Sequence, residues 1–198
     1  MYTLLLDSSN SDLSVGISSK GELVDFVTYE AWQRQSELMV DEIDKMLDKH
    51  NLTRSDLSAV VVSKGPGSYT GVRIALTVAK VTAFALNIPL YLVSSLEAIK
   101  NASKPCLCLS NARSKRSYVA AFDGKKCLME DTIMDNEEVK KYLEKHPEMI
   151  VAGETDYLGI KGEVINPLLN LKDLEDDAHK CPNVLSAKPV YLKDAYPV

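Results

Sequence analysis

The sequence has no uninterrupted apolar run of membrane-spanning length. Its first residues, Met1 to Asp7, place no basic stretch ahead of a hydrophobic one, so no signal peptide is expected. It has no CxxC spacing. The four cysteines, Cys106, Cys108, Cys127 and Cys181, all fall in the second half and form no small-domain disulfide pattern. They read as reduced thiols, and the chain as cytoplasmic. Basic charge is not in excess: 23 Lys and Arg stand against 28 Asp and Glu, a net charge of −5. That disfavours a stand-alone nucleic-acid binder and leaves a local basic patch open. HExxH and GxSxG are absent. The three histidines, His50, His146 and His179, are isolated from one another, so no metal site is expected. Cys106 and Cys108 share a strand face that His179 and Cys181 could join, but burial as small hydrophobes is the usual fate of such thiols.

What is present is periodicity. Tyr2–Leu6 is a short apolar run, and Leu13–Ser18 alternates with strand period. Lys20-Gly21 marks a turn and Leu23–Tyr29 a third strand. Ser36–Lys49 places Leu38, Met39, Val40, Ile43, Met46 and Leu47 at helical spacing, with an acidic outer face. Ala59–Val62 is a β-branched central strand, and Leu90–Val93 another strand after the next helix. The second half repeats the order: strands at Cys106–Leu109, Tyr118–Phe122 and Lys126–Ile133, a helix at Asn136–His146, and a strand at Met149–Ala152. Strand–strand–strand–helix–strand thus occurs twice. This predicts an α/β protein of two like lobes, residues 1–95 and 96–198, with a cleft between them. Leu168–Ala178 reads as a short acidic helix and Val190–Leu192 as a last strand.

The stretch "KGPGSYTGVRIALTVAK" joins a buried strand to a helix through Gly65, Gly67 and Gly71. Such a unit can present backbone N–H groups to an anion. The spacing G-x-G-x-x-x-G matches neither the P-loop nor the dinucleotide fingerprint, so tight turn geometry is the plainer reading. Ser68 or Thr70 is placed to cap the helix. The helix itself is apolar nearly all round, interrupted only by Arg73, Thr77, Lys80 and Thr82. One face packs on its own sheet. Two readings of the other stay open: cover by the preceding helix, or cover by a second polypeptide.

"GPGSYTGVRIALTVAKVTAFALNIPLYLVSSLEAI" resembles the TsaB (YeaZ) family. The resemblance extends to "LLLDSSNSDLSVGI", "QSELMVDEIDKML", "NARSKRSYVAAF" and "PVYL", and so to most of the chain. It implies the actin-like ATPase (ASKHA) fold. It also implies a non-catalytic subunit that binds and stabilises TsaD for threonylcarbamoylation of the tRNA adenosine beside the anticodon, with the ATPase TsaE joining the pair. Pairing through the first two helices resolves the open choice in favour of a partner. The face chosen for it is Glu37, Val40, Asp41, Asp44, Val72, Arg73, Leu76, Ala79, Lys80 and Ala83. On that choice Leu76→Asp removes the partner and leaves the chain folded. tRNA is reached through the complex, a homodimer is expected when the chain is alone, and no membrane is involved. No cofactor is expected for the chain by itself, with ATP and magnesium only in the complex.

The chain departs from the family pattern at Asn10, Gln35 and Asn111, each facing the cleft. Those departures weaken a nucleotide role. The rival reading is a small-molecule kinase or ATPase, with phosphate contacts at Asp7, Ser8, Ser9, Gly65, Gly67 and Ser68. For Asp7 the plain alternative is an Asx turn in a hairpin. Arg113, Lys115 and Arg116 with Tyr118 form a small basic patch, read as a solvated hairpin tip.

Overall fold

The structure, a computed structural model, describes residues 1–192. In the first lobe β1 (Tyr2–Asp7), β2 (Asp12–Ser19) and β3 (Glu22–Glu30) form an antiparallel meander. The β2–β3 turn uses Lys20 and Gly21, both at positive φ, which suits the twist of a two-residue hairpin. Helix α1 (Gln35–Lys49) then crosses to β4 (Leu57–Ser63), which pairs parallel to β1. Helix α2 (Tyr69–Leu86) crosses to β5 (Leu90–Val93), parallel to β4. The sheet order is β3-β2-β1-β4-β5.

The second lobe repeats the first part of this plan. Strands β6 (Cys106–Arg113), β7 (Arg116–Asp123) and β8 (Lys126–Asp135) form a meander, α3 (Asn136–Lys145) crosses over, and β9 (Ile150–Gly153) lies parallel to β6. Its order is β8-β7-β6-β9. Among the described residues nothing corresponding to α2 and β5 follows. The duplicated unit expected from periodicity is present, and the fold is the actin-like one of two mixed sheets with flanking helices.

Two expectations change. The acidic helix is only α4 (Leu168–Leu171). The Asn166 side chain, just before it, accepts from the Leu168 N–H, but Glu175, Asp176 and Asp177 would lie at the negative end of any longer helix. Val190–Leu192 is not a strand. The strand-like piece lies earlier, where Lys180 bridges Tyr91 in antiparallel fashion beside β5. The Cys181 N–H donates to the Leu90 carbonyl at 2.8 Å, and the Leu92 N–H to the His179 carbonyl at 2.8 Å.

The chain leaves the first sheet after β5 but does not stay in the second lobe. Leu168, Leu171 and Leu174 pack with Leu5, Val61 and Val93 on one face of the first sheet. Ala187 joins the core on the other face. The C-terminal segment therefore belongs physically to the first lobe. Helix α2, 18 residues at mean hydropathy 1.2, meets the length and composition of a membrane span, which corrects the expectation that no segment does. Its packing against α1 and strands β1, β4 and β5 makes it the central helix of its lobe.

Candidate functional site

The loop from β4 to α2 is shaped by contact with the β1–β2 turn. A Cβ on Gly71 would lie 1.9 Å from the Ser8 carbonyl oxygen, and one on Gly67 would lie 2.3 Å from that of Ser9. Gly65, at φ +96°, sits against the Val190 carbonyl. Several of the loop's donors are engaged internally. The Ser68 N–H reaches the Ser9 carbonyl at 2.7 Å, the Ser68 hydroxyl caps the Gly71 N–H at 3.3 Å, and the Gly65 N–H donates to the Ser95 hydroxyl at 3.1 Å. Ser8 is wholly buried and donates to the Gly71 carbonyl at 2.8 Å. Of the six residues proposed to hold a phosphate, Ser8, Gly65 and Ser68 make hydrogen bonds within their own chain, and Gly67 packs on the Ser9 carbonyl. Close backbone approach to Ser8 and Ser9 is what the loop requires of glycine at 67 and 71.

Asp7 is different. It is buried at the floor of the interlobe cleft. One carboxyl oxygen accepts from the Ser9 N–H at 3.3 Å, as in an Asx turn, and the other has no partner among the described residues; nor does the neighbouring Ser63 hydroxyl. Burial raises the Asp7 pKa, and the neighbouring Ser63 and Ser9 groups oppose that rise.

The family departures all do local work. Gln35 donates to the Asn10 carbonyl at 2.9 Å and ties the start of α1 to the β1–β2 turn. Asn10 and Asn111 accept from the backbone two residues on, at 2.8 Å each. Among the described residues no group of three or more His, Cys, Asp and Glu could hold a metal. Cys106 and Cys108 are brought together, with sulfurs 3.8 Å apart, but His179 and Cys181 do not join them. Their hydrogen bond lowers the Cys106 pKa to about 7 and raises that of Cys108. His179 instead links Asp176 (2.7 Å) to Glu97 (3.0 Å), which also holds Lys100 (2.8 Å). This network was not legible in the sequence, since its members lie up to 82 positions apart.

The helix pair requires the main correction. Val72, Leu76, Ala79 and Ala83, chosen for a partner, are buried inside the first lobe's own core. Gly71, Ala75, Ala79 and Ala83, four apart, let α2 lie close against its neighbours. An all-apolar helix has no polar stripe to show which face is out, so the chosen register fell on the wrong side. Lys80 is also engaged, donating to the carbonyls of Leu185 and Ala187 at 3.0 Å each. Asp44 pairs with Arg54. Glu37, Val40, Asp41 and Arg73 remain exposed. Arg73 lies 4.0 Å over the Tyr69 ring and donates to the Tyr191 hydroxyl at 2.6 Å.

The outer face of α2 carries Thr77, Val81 and Phe84, spaced four and three apart on one stripe. Val81 is 63% exposed and Phe84 61%, and Val40 on the adjoining α1 is 44% exposed. Ile74 and Val78, partly buried, line the same helix. So α2 buries one apolar side and leaves another open.

Residues 27–150 match the family model described as TsaD: tRNA N6-adenosine threonylcarbamoyltransferase. The chain is 32% identical over 140 residues to the tRNA threonylcarbamoyladenosine biosynthesis protein TsaB of Bacillus subtilis, a match covering 68% of this chain and 61% of that protein. With the TsaB of Haemophilus influenzae it shares 30% identity over 100 residues, 50% of this chain and 42% of the relative. The matched stretch thus spans at most about three-fifths of these relatives. In three dimensions it resembles YeaZ from Pseudomonas aeruginosa, with a TM-score of 0.79 at 22% identity, covering 96% of this chain and 99% of that one.

Proposed function

This chain belongs to the TsaB (YeaZ) family, and from that premise we propose that it serves threonylcarbamoyladenosine synthesis on tRNA as a non-catalytic partner of TsaD. The observation that carries the proposal is the open stripe of Val81 and Phe84, 63% and 61% exposed, on a helix whose opposite side is core. A monomer gains nothing by holding two large apolar side chains in water on a rigid helix, whereas burying each on a second protein is worth about 1.5–3 kcal/mol. The docking face is therefore Val40, Val81 and Phe84, rimmed by Glu37, Asp41 and Arg73. The subunit acts by binding one conformation of TsaD and raising its population. TsaE joins the pair, tRNA is engaged through the complex, and the assembly is cytoplasmic. A self-complementary stripe also supports a weak homodimer when TsaD is absent. No catalytic step is assigned to this chain, whose glycine loop is packed directly against the β1–β2 turn.

The test is to mix the chain with its cognate TsaD and measure the complex mass by light scattering. A one-to-one heterodimer is expected. Phe84→Asp should leave a folded chain that no longer co-elutes; co-elution of that variant at micromolar concentration refutes the assigned face.

A further inference from the structure

We propose that the mouth of the interlobe cleft is a stacking site for an unpaired nucleobase of single-stranded RNA. The cavity there, about 710 Å³, is bounded by Trp32, Tyr69, Tyr118, Tyr191, Asn111 and Arg113. Four of the ten Trp and Tyr residues in the chain meet at this one cavity, including its single Trp. Tyr118 is partly buried against the second lobe's core, Tyr69 and Tyr191 stack on one another at 5.0 Å with Arg73 over Tyr69, and the outer faces of this set and of Trp32 stay open. Trp32 is 52% exposed, Tyr69 48% and Tyr191 41%. Flat rings held half-open around a cavity of small-ligand size match what an unstacked base requires, since every base has a π-face.

Charge points the same way. The chain carries a net −5, yet Arg113 lines this cavity and Lys115 and Arg116 follow it along the same hairpin. Arg113, Ser114 and Lys115 all hold left-handed backbone at the hairpin tip. Two carboxylates, Glu30 and Glu154, also line the cavity, and Glu154 accepts from the Asn111 N–H at 2.9 Å. Carboxylates repel a polyphosphate but accept hydrogen bonds from exocyclic amines. The combination therefore selects a base with one or two backbone phosphates at its edge rather than a nucleoside triphosphate. The stacking site rests on this geometry alone; that its occupant is RNA rests on the tRNA-modification reading above.

Trp32, as the sole tryptophan, reports on the site by its own fluorescence. The full chain is titrated with a seven-nucleotide single-stranded RNA and, separately, with a fully paired RNA duplex. Saturable quenching by the single strand at micromolar to submillimolar concentration is expected, with none by the duplex. The salt dependence should be shallow, a slope of about −0.7 to −1.4 for one or two phosphates. Arg113→Ala should weaken binding at least tenfold. With labelled RNA followed by anisotropy, Trp32→Ala should lose about tenfold, the range of one lost stack, while Trp32→Phe keeps affinity within about threefold of wild type. Because Trp32 and Arg113 are exposed, circular dichroism should show both variants folded, and both should still co-elute with TsaD. Absence of saturable quenching up to millimolar RNA, equal quenching by the duplex, or insensitivity to both substitutions overturns the proposal. So does a Trp32 shift on adding TsaD without RNA, which makes the cavity a protein contact. Loss of TsaD binding with RNA binding intact would instead strike the partner reading alone.

Discussion

The two lobes start from the same plan and end differently. Each has a three-strand meander, a crossover helix and a parallel fourth strand. The first continues into α2 and β5, which have no counterpart among the described residues of the second. Their helices differ accordingly. Helix α1 buries Gln35, Met39, Ile43, Met46 and Leu47, whereas α3 buries only Val139. The short edges are closed alike, by pieces of the C-terminal segment: Glu163 beside β9, and His179 to Cys181 beside β5. The difference teaches where a docking face can arise. The second lobe's sheet is covered by α3 with Leu158 and Ile160 on one face and by Leu96, Ile99 and Ile165 on the other, whereas α2 in the first lobe keeps an apolar side that its own lobe leaves open.

The sharpest way to break this comparison is to invert α2. Leu76→Asp puts an unpaired carboxylate into the first lobe's core and should cost more than about 4 kcal/mol, enough to unfold the chain. Denaturant titration followed by circular dichroism checks it, and a folded, merely partnerless Leu76→Asp would restore the register that burial rejects. Next in size, Phe84→Asp should change stability by no more than about 0.5 kcal/mol while weakening TsaD by at least about 2 kcal/mol, some thirtyfold. The control on the other lobe is Tyr142→Asp in α3, which should leave TsaD affinity unchanged by calorimetry; equal losses in both lobes would erase the distinction. Third, Gly71→Ala forces the loop off the Ser8 carbonyl and should cost about 1–3 kcal/mol, read from the urea midpoint. An unchanged midpoint would mean the loop is not held by that contact.

The smallest effect is the pH dependence of the strap that the first lobe receives from the C-terminal segment. Hydrogen bonding to Glu97 foremost, then to Asp176, raises the His179 pKa, so its stabilisation is complete below about pH 6.5 and fades as pH rises through the elevated folded value. Burial opposes the charge on Glu97, but His179 and Lys100 outweigh it and bring its pKa to about 2. The Glu97 contribution is present above about pH 4.5 and disappears as pH falls toward 2. Stability from this network should therefore be greatest between roughly pH 4.5 and 6.5. In His179→Gln the decline on the alkaline side should vanish; if wild type and variant track each other from pH 6 to 9, the network does not hold the strap.

Much of the fold was legible because period-2 and period-3.6 apolar spacing are local properties. The meanders, α1, the β-branched β4 and the repeat of the unit all follow from them. Ser68, named with Thr70 as a cap, is the residue that caps α2. The glycines of the loop read plainly as tight geometry, and their close neighbours are Ser8, Ser9 and Val190. The helix face was not legible. Val72, Leu76, Ala79 and Ala83 are no more apolar in sequence than Val81 and Phe84, so composition could not say which set the sheet would claim. The aromatic mouth of the cleft was equally hidden, because Trp32, Tyr69, Tyr118 and Tyr191 meet only when both lobes and the returning C-terminal segment are in place.

By itself the sequence determined the elements, their duplication and the kinship of the chain, since each depends on residues near one another or on motifs read in order. Tertiary structure alone decided which side of α2 is oil against its own sheet and which is oil against water. That choice is made by backbone approach at Gly71, Ala75, Ala79 and Ala83 and by a segment more than 100 positions away laid along the flank at Lys80, and neither leaves a mark in local spacing.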